Sequence, residues 1–105
     1  MGYELHITRS EDWVDSESNP ITMSEWLECA SGGSRLSVGG SITFGQVETP
    51  AYYLTDLGPE NGPSLFWHGG EVRVGGAPDE AIGHLVAIAD DLGASLIGDE
   101  GETYP

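Results

Sequence analysis

The longest apolar pattern of the chain lies near its C-terminus and predicts a helix followed by a strand. From Pro78 to Leu92, apolar residues recur at the three- and four-residue spacing of one helix face. Proline fits the first turn of a helix, where its missing N–H costs nothing, and Gly93 can adopt the left-handed conformation that often ends one. Residues 94–97 then predict a short strand. Because such an apolar face needs a sheet to cover it, we expect a long C-terminal helix packed on a sheet.

Alternating polar and apolar residues and short turn motifs predict the remaining elements. Residues 3–9 alternate, which indicates a strand with one buried face and one solvent-exposed face that carries His6. Thr22 and Glu25 have the spacing of a capping box and predict a short helix over residues 23–30, with Trp26 on its buried face. Glycine pairs at 39–40 and 69–70 predict hairpins. The strand candidates in this region span residues 35–38, 41–47, 51–57, 64–68 and 71–74.

These elements predict one α+β domain over residues 1–105. We expect an antiparallel sheet of about five to six short strands, one long C-terminal helix packed on the sheet and one short N-terminal helix. The 38% hydrophobic content, with three Trp, four Tyr and two Phe, favours a folded core over a disordered acidic chain. No apolar run approaches the length of a membrane span and no signal peptide is visible. Since the single Cys29 excludes an internal disulfide, we expect a cytoplasmic protein.

The charge balance is the most unusual feature of the composition. Eighteen acidic residues face three arginines and no lysine, which gives a formal net charge of −15. Three explanations compete: adaptation to solubility or a salty environment, an acidic surface shaped to fit a basic protein, and binding of divalent metal ions. Direct binding to nucleic acid is disfavoured, because contact with phosphates needs a basic surface.

The sequence carries no recognisable catalytic or metal-binding motif. Cys29 has no nucleophile signature around it, and His6, His68 and His84 lack the spacing of zinc ligands. The acidic loop at residues 12–17 lacks the central glycine and the ligand order of an EF-hand. We therefore expect a protein that is not an enzyme and has no catalytic residues, no cofactor and no metal ligands. Among the histidines, His68 is the candidate for a binding role, since it ends a predicted strand beside a glycine pair.

The two ends of the chain carry distinctive motifs. Residues 3–9 are Y-E-L-H-I-T-R, followed by Trp13, P-I-T at 20–22 and E-W-L at 25–27, and the C-terminal part has P-D-E at 78–80, L-G-A at 92–94 and G-D-E-G-E at 98–102. Together they resemble a family of small, acidic bacterial proteins of unknown function, whose members begin with Y-[ED]-L-H-I-T-R, continue into S-x-x-E-W and end in G-[DE]-[DE]-G-E-x-Y. The similarity covers roughly the first 28 and the last 28 residues. It implies a small bacterial or mobile-element protein of the kind found near defence or toxin systems, and it supplies no catalytic residues.

We interpret the acidity as a binding surface. The preferred function is a non-enzymatic acidic inhibitor or immunity-type protein that docks on a basic site of a nuclease toxin or of a nucleic-acid-handling defence effector such as CRISPR–Cas, with carboxylates that mimic nucleic-acid phosphates. We expect a basic protein partner, no direct contact with nucleic acid or membrane, and a monomer or homodimer. The alternative is a small-molecule or metal-binding domain with a pocket between the sheet and the long helix, near His68.

Two acidic patches supply the candidate partner-binding residues. Trp13 is the candidate hot spot, because it is a lone aromatic residue among acids, although packing back onto the sheet is its alternative role. Asp90 and Asp91 are unfavourable at the negative end of a helix dipole, which hints at a role in binding. The first patch comprises Glu11, Asp12, Trp13, Asp15, Glu17, Glu25 and Glu28, and the second comprises Asp90, Asp91, Asp99, Glu100 and Glu102.

Overall fold

The computed structural model describes residues 4–32 and 35–104, so the first residue of the strand predicted at residues 3–9 lies outside this range. The described residues form one antiparallel sheet in the order β2-β3-β4-β5-β1-β6-β7. The strands are β1 (Glu4–Thr8), β2 (Leu36–Phe44), β3 (Val47–Leu54), β4 (Ser64–His68), β5 (Glu71–Gly75), β6 (Ser95–Gly98) and β7 (Thr103–Tyr104). The helices are α1 (Met23–Ser31), α2 (Gly58–Asn61) and α3 (Ile82–Asp91), with 3-10 turns at Trp13–Ser18 and Asp79–Ala81.

The N-terminal strand β1 lies between β5 and β6, inside the sheet. Leu5 and Ile7 belong to the hydrophobic core, and His6 and Thr8 are also buried. The prediction of a solvent-exposed face on this strand is therefore wrong. The loop after β1 folds back over that face, and a hydrogen bond of 2.7 Å joins Thr8 Oγ1 to Ser16 Oγ.

Residues of α1 and α3 belong to one hydrophobic core with the sheet. The predicted capping box is confirmed: the Thr22 hydroxyl accepts from the Glu25 N–H at 3.1 Å, and the Glu25 carboxylate accepts from the Thr22 N–H at 3.0 Å. Trp26 is fully buried, as predicted, and meets Tyr52 edge-on with ring centroids 5.5 Å apart. None of the helices in the described part of the chain has the length and apolar content needed to cross a bilayer.

The prediction of five to six strands with one long C-terminal helix is wrong. The sheet has seven strands, and the longest helical stretch has 13 residues, three of them in the 3-10 turn and ten in α3. Pro78 is extended, with φ −77° and ψ 164°, so the helical stretch begins after it. Leu92 has ψ 0° and caps the end of α3. The apolar periodicity therefore included positions that belong to a 3-10 turn and a cap.

The two glycine pairs behave differently in the structure. Gly69 and Gly70 form the tight connection between β4 and β5, with φ of 60° and 87°, which confirms the second hairpin. The hairpin predicted at Gly39 and Gly40 is wrong, because both residues lie inside β2 at an irregularity in its pairing with β3. An added Cβ at Gly39 would lie 2.7 Å from the ring of Tyr53, so close packing explains that glycine. The short C-terminal strand β7 was not predicted.

Candidate functional site

A buried histidine lies between two carboxylates on the face of the sheet under the loop that follows β1. His6 Nδ1 is hydrogen bonded to Glu71 Oε1, and His6 Nε2 lies 2.7 Å from Asp99 Oδ1. The register makes this possible: Arg73 on β5 and Ile97 on β6 are opposite His6, so the residues two positions away are its diagonal neighbours on the same face. We call His6, Glu71, Asp99 and Trp13 the His6 cluster.

The His6 cluster keeps an imidazole and a carboxylate away from water. The side chains of His6 and Glu71 are 1% and 4% exposed, whereas that of Asp99 is 34% exposed. An imidazole that donates to a carboxylate from each nitrogen is an imidazolium. Burial alone lowers the pKa of His6, but the hydrogen bonds and charges of Glu71 and Asp99 outweigh it, so that the pKa is raised.

The Asp99 carboxylate is fixed from two sides. Its Oδ2 accepts from the Glu4 N–H at 2.9 Å, while Oδ1 faces His6. Burial raises the pKa of Asp99, but the hydrogen bonds from His6 and from the Glu4 N–H lower it more, and the net shift is downward. Arg73 Nε lies 3.7 Å from the second oxygen of Glu71 and places a further positive charge beside that carboxylate.

Trp13 covers the His6 ring. The two rings are parallel within 1°, with centroids 4.2 Å apart, and stacking on an indole stabilises a buried cation. The indole N–H donates to the Asp99 carbonyl oxygen at 3.2 Å. Ser16 Oγ donates to the Trp13 carbonyl at 2.6 Å and so stabilises the 3-10 turn. Trp13 thereby joins the loop after β1 to the segment between β6 and β7.

The structure groups the predicted binding residues differently from the two patches of the sequence. Trp13 brings the loop after β1 to the segment between β6 and β7, whereas Glu17, later in the same loop, lies against Gly69 of the β4–β5 connection. We call the acids of this loop and of that segment, together with Trp13, the Trp13 face; its residues are Glu11, Asp12, Trp13, Asp15 and Glu17 from the first patch, and Asp99, Glu100 and Glu102 from the second. Apart from half-buried Trp13 and Asp99, these residues are exposed.

The other predicted acids lie on α1 and at the end of α3, two elements that Arg9 joins. Its guanidinium donates to both carboxylate oxygens of Glu25, at 3.0 and 2.8 Å, and twice to the Leu92 carbonyl at the end of α3. The bond from Arg9, followed by that from the Thr22 backbone, lowers the pKa of Glu25 to about 2. Arg9 also places a cation at the negative end of α3, which offsets the cost of the acids there. The predicted residues in this region are Glu25, Glu28, Asp90 and Asp91.

A cleft of about 630 Å³ opens between α1 and α3. Arg9, Arg35 and His84 line it together with Cys29. Burial, followed by the charge of Asp91, raises the pKa of the Cys29 thiol against the opposing effect of Arg35, so the thiol is a poor nucleophile at neutral pH. This cleft is not the pocket predicted near His68, whose chain neighbours Trp67 and Gly69 line a separate, more open hollow of about 510 Å³ beside the start of α1.

Three side chains could together ligate a divalent cation. Among the described residues, Glu4, His6 and Asp99 offer ligand atoms that all lie within 4.8 Å of one another. An imidazole nitrogen with two carboxylates suits zinc or another transition metal. Glu71 on the far nitrogen would orient the imidazole, as carboxylates do for metal-bound histidines. A cation there would have to displace the proton that links His6 Nε2 to Asp99.

Sequence reasoning missed His6, Glu71 and Arg9 as partners in these contacts. Glu71 and Asp99 are 65 and 93 positions from His6, so no local motif links them. The available signal was weak: polar residues on the inner strand of a sheet need partners when both faces are covered. This signal can be interpreted only when the strand order is known.

Comparison of the chain with protein-family models, with curated proteins and with solved structures finds no match. A functional proposal therefore depends on the side chains and on their arrangement.

Proposed function

We propose that this protein is a non-enzymatic inhibitor or immunity-type protein whose Trp13 face binds a basic site on a nuclease toxin or on a nucleic-acid-handling defence effector. The observation that supports it is the position of Trp13. This residue stacks on His6 and donates to the Asp99 carbonyl, and so brings two acidic segments of the chain together.

The Trp13 face is suited to a basic partner because its backbone is held by buried contacts. An interface arranged before binding loses less conformational freedom when the complex forms. Two of the three arginines lie away from this face, Arg9 against Glu25 and Arg35 at the cleft, while Arg73 lies beside Glu71 of the His6 cluster. Rows of carboxylates opposite Arg and Lys side chains accelerate association and select partners of opposite charge.

The test uses two variants that each lose four carboxylates. In the first, the four loop acids of the Trp13 face become amides; in the second, a matched control, two other Glu and two other Asp become amides. The first set is Glu11, Asp12, Asp15 and Glu17, and the control set is Glu28, Glu60, Asp90 and Asp91, all of them exposed. A basic nucleic-acid-handling protein retained from a bacterial lysate by the immobilised wild type is purified and its dissociation constant is measured against each variant.

We expect the first variant to bind about tenfold or more weakly and the control to change less than about threefold. Wild-type binding is expected to weaken about tenfold between low and moderate salt, because counterions screen exposed charges. The retained protein is also expected to lose its nuclease activity in the complex. An equal loss of affinity in both variants, or an affinity that does not change with salt concentration, would contradict the proposal.

A second candidate function is the binding of a small polar ligand in the cleft between α1 and α3. Its volume lies within the range of small-molecule sites, and Arg9, Arg35 and His84 supply polar groups. A ligand of the native state raises the melting temperature. We expect compounds that bind in the cleft to raise the melting temperature of the wild type but not that of Arg35→Ala. Ca²⁺, Mg²⁺ or Zn²⁺ would instead bind through Glu4, so that their effect on the melting temperature would be lost in Glu4→Gln.

A further inference from the structure

Three side chains that can ligate a metal converge beside β1. Glu4 and His6 lie two positions apart on this strand and share a face of the sheet, and Asp99 directly follows the neighbouring strand β6. Three atoms bound at about 2.1 Å to a tetrahedral ion lie about 3.4 Å from one another. The distance of 2.7 Å between His6 Nε2 and Asp99 Oδ1 and the limit of 4.8 Å for all three side chains bracket that value. Small side-chain rotations therefore bring the three ligand atoms to the spacing of a metal site.

Two of these side chains are oriented through the atoms that a metal would not use. Glu71 holds His6 at Nδ1, so that Nε2 faces Asp99, and the Glu4 N–H holds Asp99 at Oδ2, so that Oδ1 faces His6. Carboxylates and backbone groups orient the ligands of metal sites in this way. Trp13 lies parallel to the His6 ring within 1° and covers its face, whereas a metal–imidazole bond lies in the plane of the ring. The indole therefore leaves the direction of a bond to Nε2 uncovered.

The third side chain, Glu4, has no other role among the contacts of the fold. It is half-buried, and no hydrogen bond or ion pair joins its carboxylate to another of the described residues. It nevertheless lies beside an imidazole that already has the carboxylates of Glu71 and Asp99 as partners. Three carboxylates around one imidazole repel one another, and a divalent cation among them reduces that repulsion. The half-buried side chains of Glu4 and Asp99 also give such a cation a path from solvent.

We propose that Glu4, His6 and Asp99 bind a divalent transition metal, with zinc as the representative ion and Glu71 as the group that orients the imidazole. One nitrogen and two carboxylate oxygens are ligands that zinc and its neighbours accept. Mg²⁺ and Ca²⁺ prefer oxygen ligands alone, and Ca²⁺ takes about six to eight of them. Three protein ligands leave the fourth position of a tetrahedral zinc ion to water. The bound metal links β1 to the segment after β6 and stabilises the native state.

The metal site is independent of the proposed function. The variant that tests partner binding changes Glu11, Asp12, Asp15 and Glu17, and none of these is one of the three metal ligands. The metal is tested on the protein alone, without a partner. Either proposal can therefore fail while the other stands.

The test is a calorimetric titration of the full chain, first treated with a chelator, with Zn²⁺. We expect one zinc ion per chain, and a melting temperature about 10 °C higher at a zinc concentration about 100 times the dissociation constant. Glu4→Gln removes one ligand and keeps the hydrogen bonds of His6, so we expect it to bind zinc at least about tenfold more weakly. Glu60→Gln is the matched control, since Glu60 is exposed on α2, and we expect it to bind like the wild type.

NMR of the histidine rings identifies the site. Zinc is expected to shift the ring signals of His6 and to leave those of His84, at the α1–α3 cleft, unchanged. If Glu4→Gln does not fold, as judged by its melting curve, these signals of the wild type decide. The proposal is overturned if zinc leaves the melting temperature unchanged, binds equally to Glu4→Gln and the wild type, or shifts His84 instead of His6. Displacement of zinc by an equal concentration of Ca²⁺ also overturns it, because exposed acids would then be the ligands.

Discussion

Replacement of His6 by alanine is expected to lower the free energy of unfolding by about 3–5 kcal/mol. The Glu71 side chain, 4% exposed, would lose the imidazolium that neutralises it, and Arg73 Nε at 3.7 Å is too distant to replace that hydrogen bond. The loss of the hydrogen bond to this buried carboxylate, with Arg73 left as its distant ion-pair partner, accounts for most of this cost. The ring of Trp13 would also lose its stacking partner. Urea denaturation, followed by tryptophan fluorescence, measures the difference.

Two companion variants identify the source of this loss. His84→Ala removes an imidazole that is half-buried at the α1–α3 cleft, outside the His6 cluster, and is expected to cost less than about 1 kcal/mol. Glu71→Gln, added to His6→Ala, removes the unpaired charge and is expected to recover part of the lost stability. A double variant as unstable as the sum of its two single changes would show that the charge pair is not the cause.

Local signals in the sequence were sufficient for the local structure of the chain. The side chains of Thr22 and Glu25 each accept a hydrogen bond from the other's backbone N–H within one helical turn, so their spacing alone predicts the helix start. Trp26 follows from the same periodicity, because the buried face of a short helix can be read from three- and four-residue spacing. The hairpin at Gly69 and Gly70 needs only two residues with positive φ between alternating strands. In each case the determining contact lies within a few residues.

The candidate site could not be predicted because its contacts join distant parts of the chain. The alternation of β1 correctly indicated a strand, but it could not show that β1 would lie inside the sheet with both faces covered. His6 was therefore expected in solvent, and it is buried between Glu71 and Asp99. The glycines in β2 show the same limit, since a bulge inside a strand and a turn between strands have similar sequences.

The acidic residues illustrate why sequence proximity is a poor guide to a surface. Glu25 follows the acidic loop closely in sequence, yet Arg9 ties it to the end of α3. Asp99 is 86 positions from Trp13, yet its carbonyl accepts the indole N–H. In the sequence, Arg9 is only one of three arginines. Its role in joining Glu25 to the end of α3 depends on the packing of β1, α1 and α3 against one another. The two sequence patches therefore correspond to different surfaces in the fold.

The charges that face His6 set the pH dependence of stability. Glu71 and Arg73 face it from β5, Asp99 from the segment after β6, and Glu4 lies two positions away on β1. The two carboxylates raise the pKa of His6 above the 6.5 of an unfolded chain, although its burial opposes them. The bond from His6 helps to lower the pKa of Asp99 below 3.8. Each unit of such a shift corresponds to about 1.4 kcal/mol between the two protonation states.

The stability of the wild type relative to His6→Gln is expected to be largest between about pH 4 and pH 6.5. A raised folded pKa means that the contribution of His6 is fully present below its unfolded pKa of 6.5 and is lost as pH rises through the folded value. The depressed pKa of Asp99 gives the opposite limit: its contribution is present above 3.8 and is lost as pH falls. Repulsion among the remaining carboxylates is common to both proteins and cancels in the difference. Urea denaturation at several pH values, with an NMR titration of the His6 ring, measures both limits. A difference that rises with pH towards neutrality would mean that the folded pKa of His6 lies below that of the unfolded chain, which would contradict the prediction.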